Sequence, residues 1–232
     1  MLVAIEGIDG AGKTTQVARL RERFLERGWD VVTSKEPTDG PWGRRIRESA
    51  KSGRMQPAEE LNAFLEDRRQ HVTSTIRPAL ARGALVILDR YYFSTIAYQG
   101  LSGGDPEAIR QANEEFAPVP DLLVVLDLDP EDALRRIEDR GDEANHFERV
   151  HLLEESREIF WRYVDSTPRV AADGRKCWRV QVDAGQPADE VVKIIEATVL
   201  RIATEAIAAR KDLSGHQQME ATMRLLGAAT AA

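Results

Sequence analysis

Gly7-Ile8-Asp9-Gly10-Ala11-Gly12-Lys13-Thr14 is the stretch of this chain whose residue types and spacing specify chemistry most directly. It fits G-x-x-x-x-G-K-[ST], in which glycines let backbone N–H groups turn inward around phosphate oxygens. The N-terminus of the helix that follows adds a partial positive charge. In such a loop Lys13 would bridge the β- and γ-phosphates and Thr14 would offer its hydroxyl to Mg²⁺, with Thr15 carrying the loop into the helix. A glycine-rich strand–helix turn that holds no ligand is the competing account. Context favours the first, because the apolar run Leu2–Glu6 reads as a strand ending where the loop begins, and a helix-competent stretch opens at Gly12. A loop of this kind specifies that a nucleotide phosphate binds and says nothing of its fate.

A second candidate set follows the apolar run Ala84–Leu88. Ligands of open α/β sheets bind beyond the carboxyl ends of the strands, which is where Asp89 and Arg90 fall. Arg90 is suited to gripping a phosphate by two oxygens, and Asp89 to holding a metal-bound water or orienting that arginine. A strand-end Asp–Arg ion pair at a helix N-cap accounts for these two residues equally well. The base-reading N-K-x-D of a GTPase is absent, and Asp9-Gly10 stands where adenylate kinases usually carry proline, so the rest of the site must come from elsewhere in the chain.

The elements that must position these residues alternate between short apolar runs and long amphipathic ones, the pattern of a parallel sheet covered by helices. Strands are expected at Leu2–Glu6, Trp29–Ser34, Ala84–Leu88, Asp121–Leu126 and Cys177–Val182. Helices are expected from Gly12 to Arg27, Pro41 to Lys51, Pro57 to Arg82 with a kink or boundary at Pro78, from the third strand to about Phe116, Pro130–Arg140, Phe147–Val170 and Ala188 to about Lys211. Gly141–Asn145 reads as a polar break. The expected architecture is one α/β domain over residues 1–211, a five-stranded parallel sheet flanked by helices, and a tail over 212–232 that either forms a short helix (His216–Leu226) or is disordered.

Composition narrows the partners. A hydrophobic fraction of 42% with 31% charged residues is that of a globular chain, not a disordered one. A net charge of -7 argues against nonspecific binding to nucleic acid or anionic membranes. Cys177 is the only cysteine, so no intrachain disulfide can form, and His71, His146, His151 and His216 lack zinc-ligand spacing. The chain starts on a strand without a secretory signal pattern, and no apolar run approaches the ~20 residues of a membrane span, so a cytoplasmic protein is expected.

The loop Ile5 to Gln16, the run Asp89-Arg90-Tyr91 continuing through Ser94-Thr95 to Ala97-Tyr98-Gln99-Gly100, and Phe64-Leu65-Glu66-Asp67-Arg68 together resemble the thymidylate kinases, P-loop nucleoside monophosphate kinases. Phe64 and Arg68 are four apart and share one helical face. The resemblance implies a P-loop NTPase fold with a short helical lid. It also implies Mg²⁺-dependent transfer of the γ-phosphate of ATP to dTMP, in dTTP biosynthesis, by a homodimer built on helices between the second and fourth strands. It further implies that Phe64 stacks on thymine and Arg68 bonds a base carbonyl, while Asp9 accepts the sugar 3′-hydroxyl and Arg90 grips the acceptor phosphate. Thr95 and Gln99 would touch the base or line its pocket, Tyr98 would pack under the deoxyribose, and Glu36-Pro37 would border the pocket. Thr14 and Asp89 are the implied metal residues.

Two stretches depart from the family pattern. Thr38-Asp39-Gly40 replaces a common G-G-T, and Asn145-His146 stands in the lid region where Asp-Arg is frequent. Gly10 occupies the position at which some members place a catalytic arginine, which leaves Arg140 as the best-matched lid cation and Arg149 as its substitute. The attacking oxygen already belongs to a phosphate, whose second pKa is ~6, so no general base is required and catalysis reduces to alignment and charge neutralisation by Lys13, Mg²⁺, Arg90 and Arg140. The competing functions are a P-loop kinase for another nucleotide or nucleoside, and a non-catalytic ATP-binding regulatory protein.

Overall fold

The computed structural model describes residues 1–53, 55–139, 146–166 and 176–227, with the side chains of 146–149 and 163–166 left out. Five strands, β1 (Leu2–Glu6), β2 (Val31–Lys35), β3 (Leu85–Asp89), β4 (Leu122–Asp127) and β5 (Trp178–Asp183), form one all-parallel sheet in the order β2-β3-β1-β4-β5. Leu2 pairs in register with Val86 on one side, and Val3 with Leu122 on the other. Burial follows position: β1 and β3 are buried throughout and β4 almost so, whereas the edge strands β2 and β5 are largely half-exposed. This is why the central strands are continuously apolar.

The helices that cover the sheet are α1 (Lys13–Glu26), α2 (Pro41–Ser52), α3 (Pro57–His71), α4 (Arg77–Ala81), α5 (Tyr92–Leu101), α6 (Pro106–Glu114), α7 (Pro130–Glu138), α8 (His146–Ser166), α9 (Ala188–Ala208) and α10 (Gly215–Leu225). The fold is the P-loop NTPase α/β fold expected from the sequence. Local differences have physical causes. Trp29 lies outside β2 because its ring packs on Phe24 at 4.7 Å and its indole N–H donates to Leu225 O at 3.0 Å. The expected helix over Pro57–Arg82 is divided by a π-helical turn at Val72–Ile76. Pro78 lacks the N–H of a regular ladder and its ring crowds the carbonyl four residues back, which a widened turn relieves. The inward row Asp67, His71, Ile76, Ala79 therefore contains one step of five. Helix formation after β3 breaks between α5 and α6, where Gly103 is left-handed and Asp105 caps the next helix through the N–H groups of Glu107 and Ala108.

Residues 215–225 form a helix with a capping box between Ser214 and Gln217. Its C-terminal carbonyls are gripped from the body of the protein by Trp29 and by Arg27, which donates to Leu226 O at 3.0 Å while pairing with Glu196 of α9. Two such hydrogen bonds contribute about 2 kcal/mol together. Deleting residues 212–232 should lower Tm by about 4–8 °C in a differential scanning fluorimetry melt, for a chain of this size.

Candidate active site

Three loops at the carboxyl edge of the sheet converge. The first, from β1 to α1, lies against α7. Gly10 has φ +83, and a Cβ built there would stand 2.4 Å from Ala133 O, so neither arginine nor any other side chain fits at that position. Lys13 is buried, and its ammonium donates to Gly7 O at 2.9 Å and Ile8 O at 2.7 Å. Burial, reinforced by the like charge of Arg90, pushes its pKa down to about 7 against the carboxylates of Asp9, Asp89 and Glu6. Thr14 Oγ1 donates to Asp89 Oδ2 at 2.5 Å. These groups line a cavity of about 440 Å³ that also takes in Gly12, Thr15 and Lys35.

The second loop leaves β3. Arg90 continues the ladder through its N–H to Ile5 O, then turns at φ +70, a left-handed conformation that costs a non-glycine residue about 1–3 kcal/mol. The turn carries its guanidinium across to Asp9, with which it pairs, and onto Ser94 Oγ at 3.2 Å. Burial works against the charge on Arg90, but Tyr98, Asp9 and Glu6 outweigh it and hold the guanidinium protonated. Beneath the pair lies Glu6, fully buried, which accepts from Tyr91 N at 2.7 Å, Ser94 N at 3.2 Å and Ser94 Oγ at 2.6 Å. One carboxylate thus fastens the end of β1 to the first turn of α5. Burial raises its pKa to about 7, although the Ser94 hydroxyl and the charge of Arg90 pull the other way.

The third loop follows β2 and, with α3 and α5, encloses a second cavity of about 240 Å³. Half-buried Phe64 and fully buried Arg68 line it from α3, and Thr95, Tyr98 and Gln99 from α5. Gln99 donates to Glu60 at 3.4 Å, and its carbonyl oxygen is buried without a partner among the described residues. Arg90 lies 5.5 Å from the centre of the Tyr98 ring, which also meets Phe160 of α8 edge-on. Glu36, next to a cis peptide bond with Pro37, borders both cavities but commits its oxygens to Arg68 at 2.6 Å and His71 at 2.8 Å. The divergent Thr38-Asp39-Gly40 is held by Asp67, which accepts from Thr38 N at 2.7 Å and Thr38 Oγ1 at 2.6 Å. A Cβ on Gly43 would meet Thr38 O at 1.9 Å, so that loop and α2 are in backbone contact.

Of the described residues singled out from the sequence, Gly7, Ile8 and Ala11 are buried and line neither cavity. The others fall on one of the two, and Asp9, Glu36 and Arg90 line both. Arg140 lies outside the described residues, as does the side chain of Arg149. Arg135 is exposed and paired with Asp132, and Arg136 donates to Ala184 O at 3.0 Å. Sequence reasoning missed Glu6, Asp67, His71, Lys35 and Asn113. A polar residue inside an apolar strand was a usable signal for Glu6, and the Asp adjoining Arg68 for Asp67. Asn113 offered none.

The fold and the paired cavities define a P-loop phosphotransferase in which a nucleotide-phosphate cradle opens onto a second, smaller pocket. The model of the thymidylate kinase family matches residues 5–195. Thymidylate kinases of three bacteria are similar to the chain. That of Xanthomonas campestris pv. campestris is 47% identical over 200 residues, covering 86% of this chain and 83% of the relative. That of Akkermansia muciniphila is 48% identical over 190 residues, 82% and 86% of the two chains. That of Xylella fastidiosa is 52% identical over 160 residues, 69% and 76%. The chain belongs to the thymidylate kinase family.

Glu6 supplies a test of the site's electrostatics. Its carboxyl holds a proton more tightly in the folded chain (about 7) than at its ordinary value of 4.5, so the stability linked to it is fully present below 4.5 and is lost as pH rises through about 7. Glu6→Gln is neutral throughout. In urea unfolding, the stability of Glu6→Gln relative to wild type should therefore rise between pH 5 and pH 8 or so, and a pH-independent difference would contradict the assignment.

Proposed function

We propose that this chain transfers the γ-phosphate of ATP to dTMP, giving dTDP and ADP. The observation that carries the reading is the shared wall of Asp9, Glu36 and Arg90, since two phosphates bound in adjoining cavities meet across it, and Arg90 is its cation. An acceptor phosphate oxygen attacks the γ-phosphorus, and the bond from that phosphorus to the β,γ-bridging oxygen breaks, leaving ADP. Lys13 and the loop N–H groups hold the donor phosphates, and Arg90 holds the acceptor, with Asp9 fixing its direction. Thr14 and Asp89 present a hydroxyl and a carboxylate side by side at the mouth of the cradle, hard oxygen donors that suit Mg²⁺. When bound there, Mg²⁺ neutralises charge on the donor phosphates.

The second pocket supports thymine as the base. Arg68 presents one N–H and Gln99 a buried carbonyl oxygen without a partner among the described residues, a donor and an acceptor in one cavity. Thymine offers the matching pair, a ring carbonyl and the adjacent N3–H, whereas cytosine offers an amine and a bare nitrogen. Phe64 supplies a stacking face, Tyr98 the floor under the sugar, and Thr95, Glu36 and Pro37 the frame. Residues 1–211 form the catalytic unit with the C-terminal helix as an accessory to it. The assembly is a homodimer, and the location is cytoplasmic; no helix among the described residues is long and apolar enough to cross a membrane.

A coupled assay over dTMP, dUMP, dCMP and the parent nucleosides tests the reading, and a clear preference for another acceptor would overturn it. Lys13→Ala and Arg90→Ala should each lower kcat/KM by about 10³-fold or more. Arg140→Ala should reduce kcat to a similar degree; a near-normal kcat would remove Arg140 from the mechanism and leave Arg149 as the lid cation.

A further inference from the structure

Arg68 is held from four directions. Its Nε donates to Glu36 Oε2 at 2.7 Å, its NH2 lies 2.6 Å from the same oxygen and donates to Thr95 Oγ1 at 2.9 Å, and its NH1 donates to Asn113 Oδ1. The ring of Tyr91 lies 5.5 Å beneath it. A guanidinium has five N–H donors, and these contacts among the described residues leave one, on NH1, for a ligand. Its orientation follows from where the other hydrogen of NH1 points, and that direction is set by Asn113.

Asn113 is built for this. It lies in the last turn of α6, has no exposed surface, and lines neither cavity. Its Nδ2 donates to Ile109 O at 2.7 Å. That bond fixes the carboxamide so that Oδ1, and not the amide nitrogen, faces Arg68; the reversed amide would set two donors against each other. Glu36 and Thr95 hold the Nε and NH2 side, and Asn113 holds NH1 from α6.

We propose that Asn113 is a positioning residue for base recognition: it aims the free N–H of Arg68 into the acceptor cavity and thereby sets the preference for a pyrimidine bearing a ring carbonyl over one bearing an amine. The proposal rests on the assignment of that cavity to the thymine base. Asn113→Leu keeps the volume and removes both hydrogen bonds. Asn113→Asp keeps an acceptor oxygen for Arg68 while losing the donor to Ile109.

Steady-state kinetics separate the possibilities. For Asn113→Leu the KM for dTMP should rise about tenfold to a hundredfold, the range expected for one lost hydrogen bond to a charged group. The selectivity for dTMP over dCMP should fall, while kcat and the KM for ATP stay at wild-type values. Asn113→Asp should restore the dTMP KM and the selectivity. If Asn113→Leu fails to fold, Asn113→Ser, whose hydroxyl is too short to reach Arg68, carries the same expectation. Unchanged dTMP KM and selectivity in these variants would overturn the inference. So would losses shared equally by the KM for ATP and the melting temperature and not rescued by Asn113→Asp, which would mark a purely structural residue. Wild-type protein that shows no preference for dTMP over dCMP overturns the thymine assignment itself, a result distinguishable from failure of the Asn113 variants alone.

Discussion

The ion pair between Asp9 and Arg90 is the contact around which the site is arranged. Asp9 comes from the loop after β1 and Arg90 from the turn after β3, so the pair joins two neighbouring strands just beyond the sheet. It forms only because Arg90 accepts a left-handed backbone and because Glu6 secures the start of α5 from beneath. A layer of three ionisable groups, Glu6, Arg90 and Asp9, thus grows outward from a fully buried strand end toward the cleft. Unpaired, a buried charge would be expensive; Asp9 and Arg90, paired, stand where the two cavities adjoin.

That arrangement explains an asymmetry in the electrostatics. Lys13 is disfavoured as a cation by burial and by Arg90, while Arg90 itself is kept charged by its neighbours. The cradle therefore sets Lys13 and Arg90 close together among the carboxylates of Asp9, Asp89 and Glu6. A preference for phosphate in a protein whose overall charge is negative then comes from where the two cations and the loop N–H groups stand, not from an excess of positive charge.

Much of this was legible from residues in sequence. The continuous apolar runs marked the central strands because both faces of a parallel strand are covered, and the loop motif could be placed because a strand and a helix flanked it. The edge strands were read less accurately: Trp29 looks like a strand residue but is used as a clamp for α10. The second cavity was legible only through resemblance, since nothing in the types of Phe64, Arg68 or Gln99 says that they face one another. Glu6 and Asn113 escaped notice because their roles are contacts at sequence separations of 88 and 45 residues, to Ser94 and Arg68. Spacing rules see only near neighbours, and an asparagine near the end of an amphipathic helix looks like any other polar residue. The departure Thr38-Asp39-Gly40, suspicious as letters, proved to be an ordered loop with its own buried carboxylate in Asp67.

The π-helical turn after α3 has a geometric consequence of its own. A single extra residue in a helix advances everything beyond it by about 100° of rotation. Val72–Ile76 absorbs such an advance, so the helix that carries Phe64 and Arg68 can turn its face to the second cavity and α5 while the short helix that leads into β3 turns its own to that strand, despite being out of phase. The widened turn works as an angular adjuster between pocket and scaffold. The azimuth of Arg68 around its helix is thereby uncoupled from the azimuth that α4 needs for packing, and substitutions that retune one need not disturb the other.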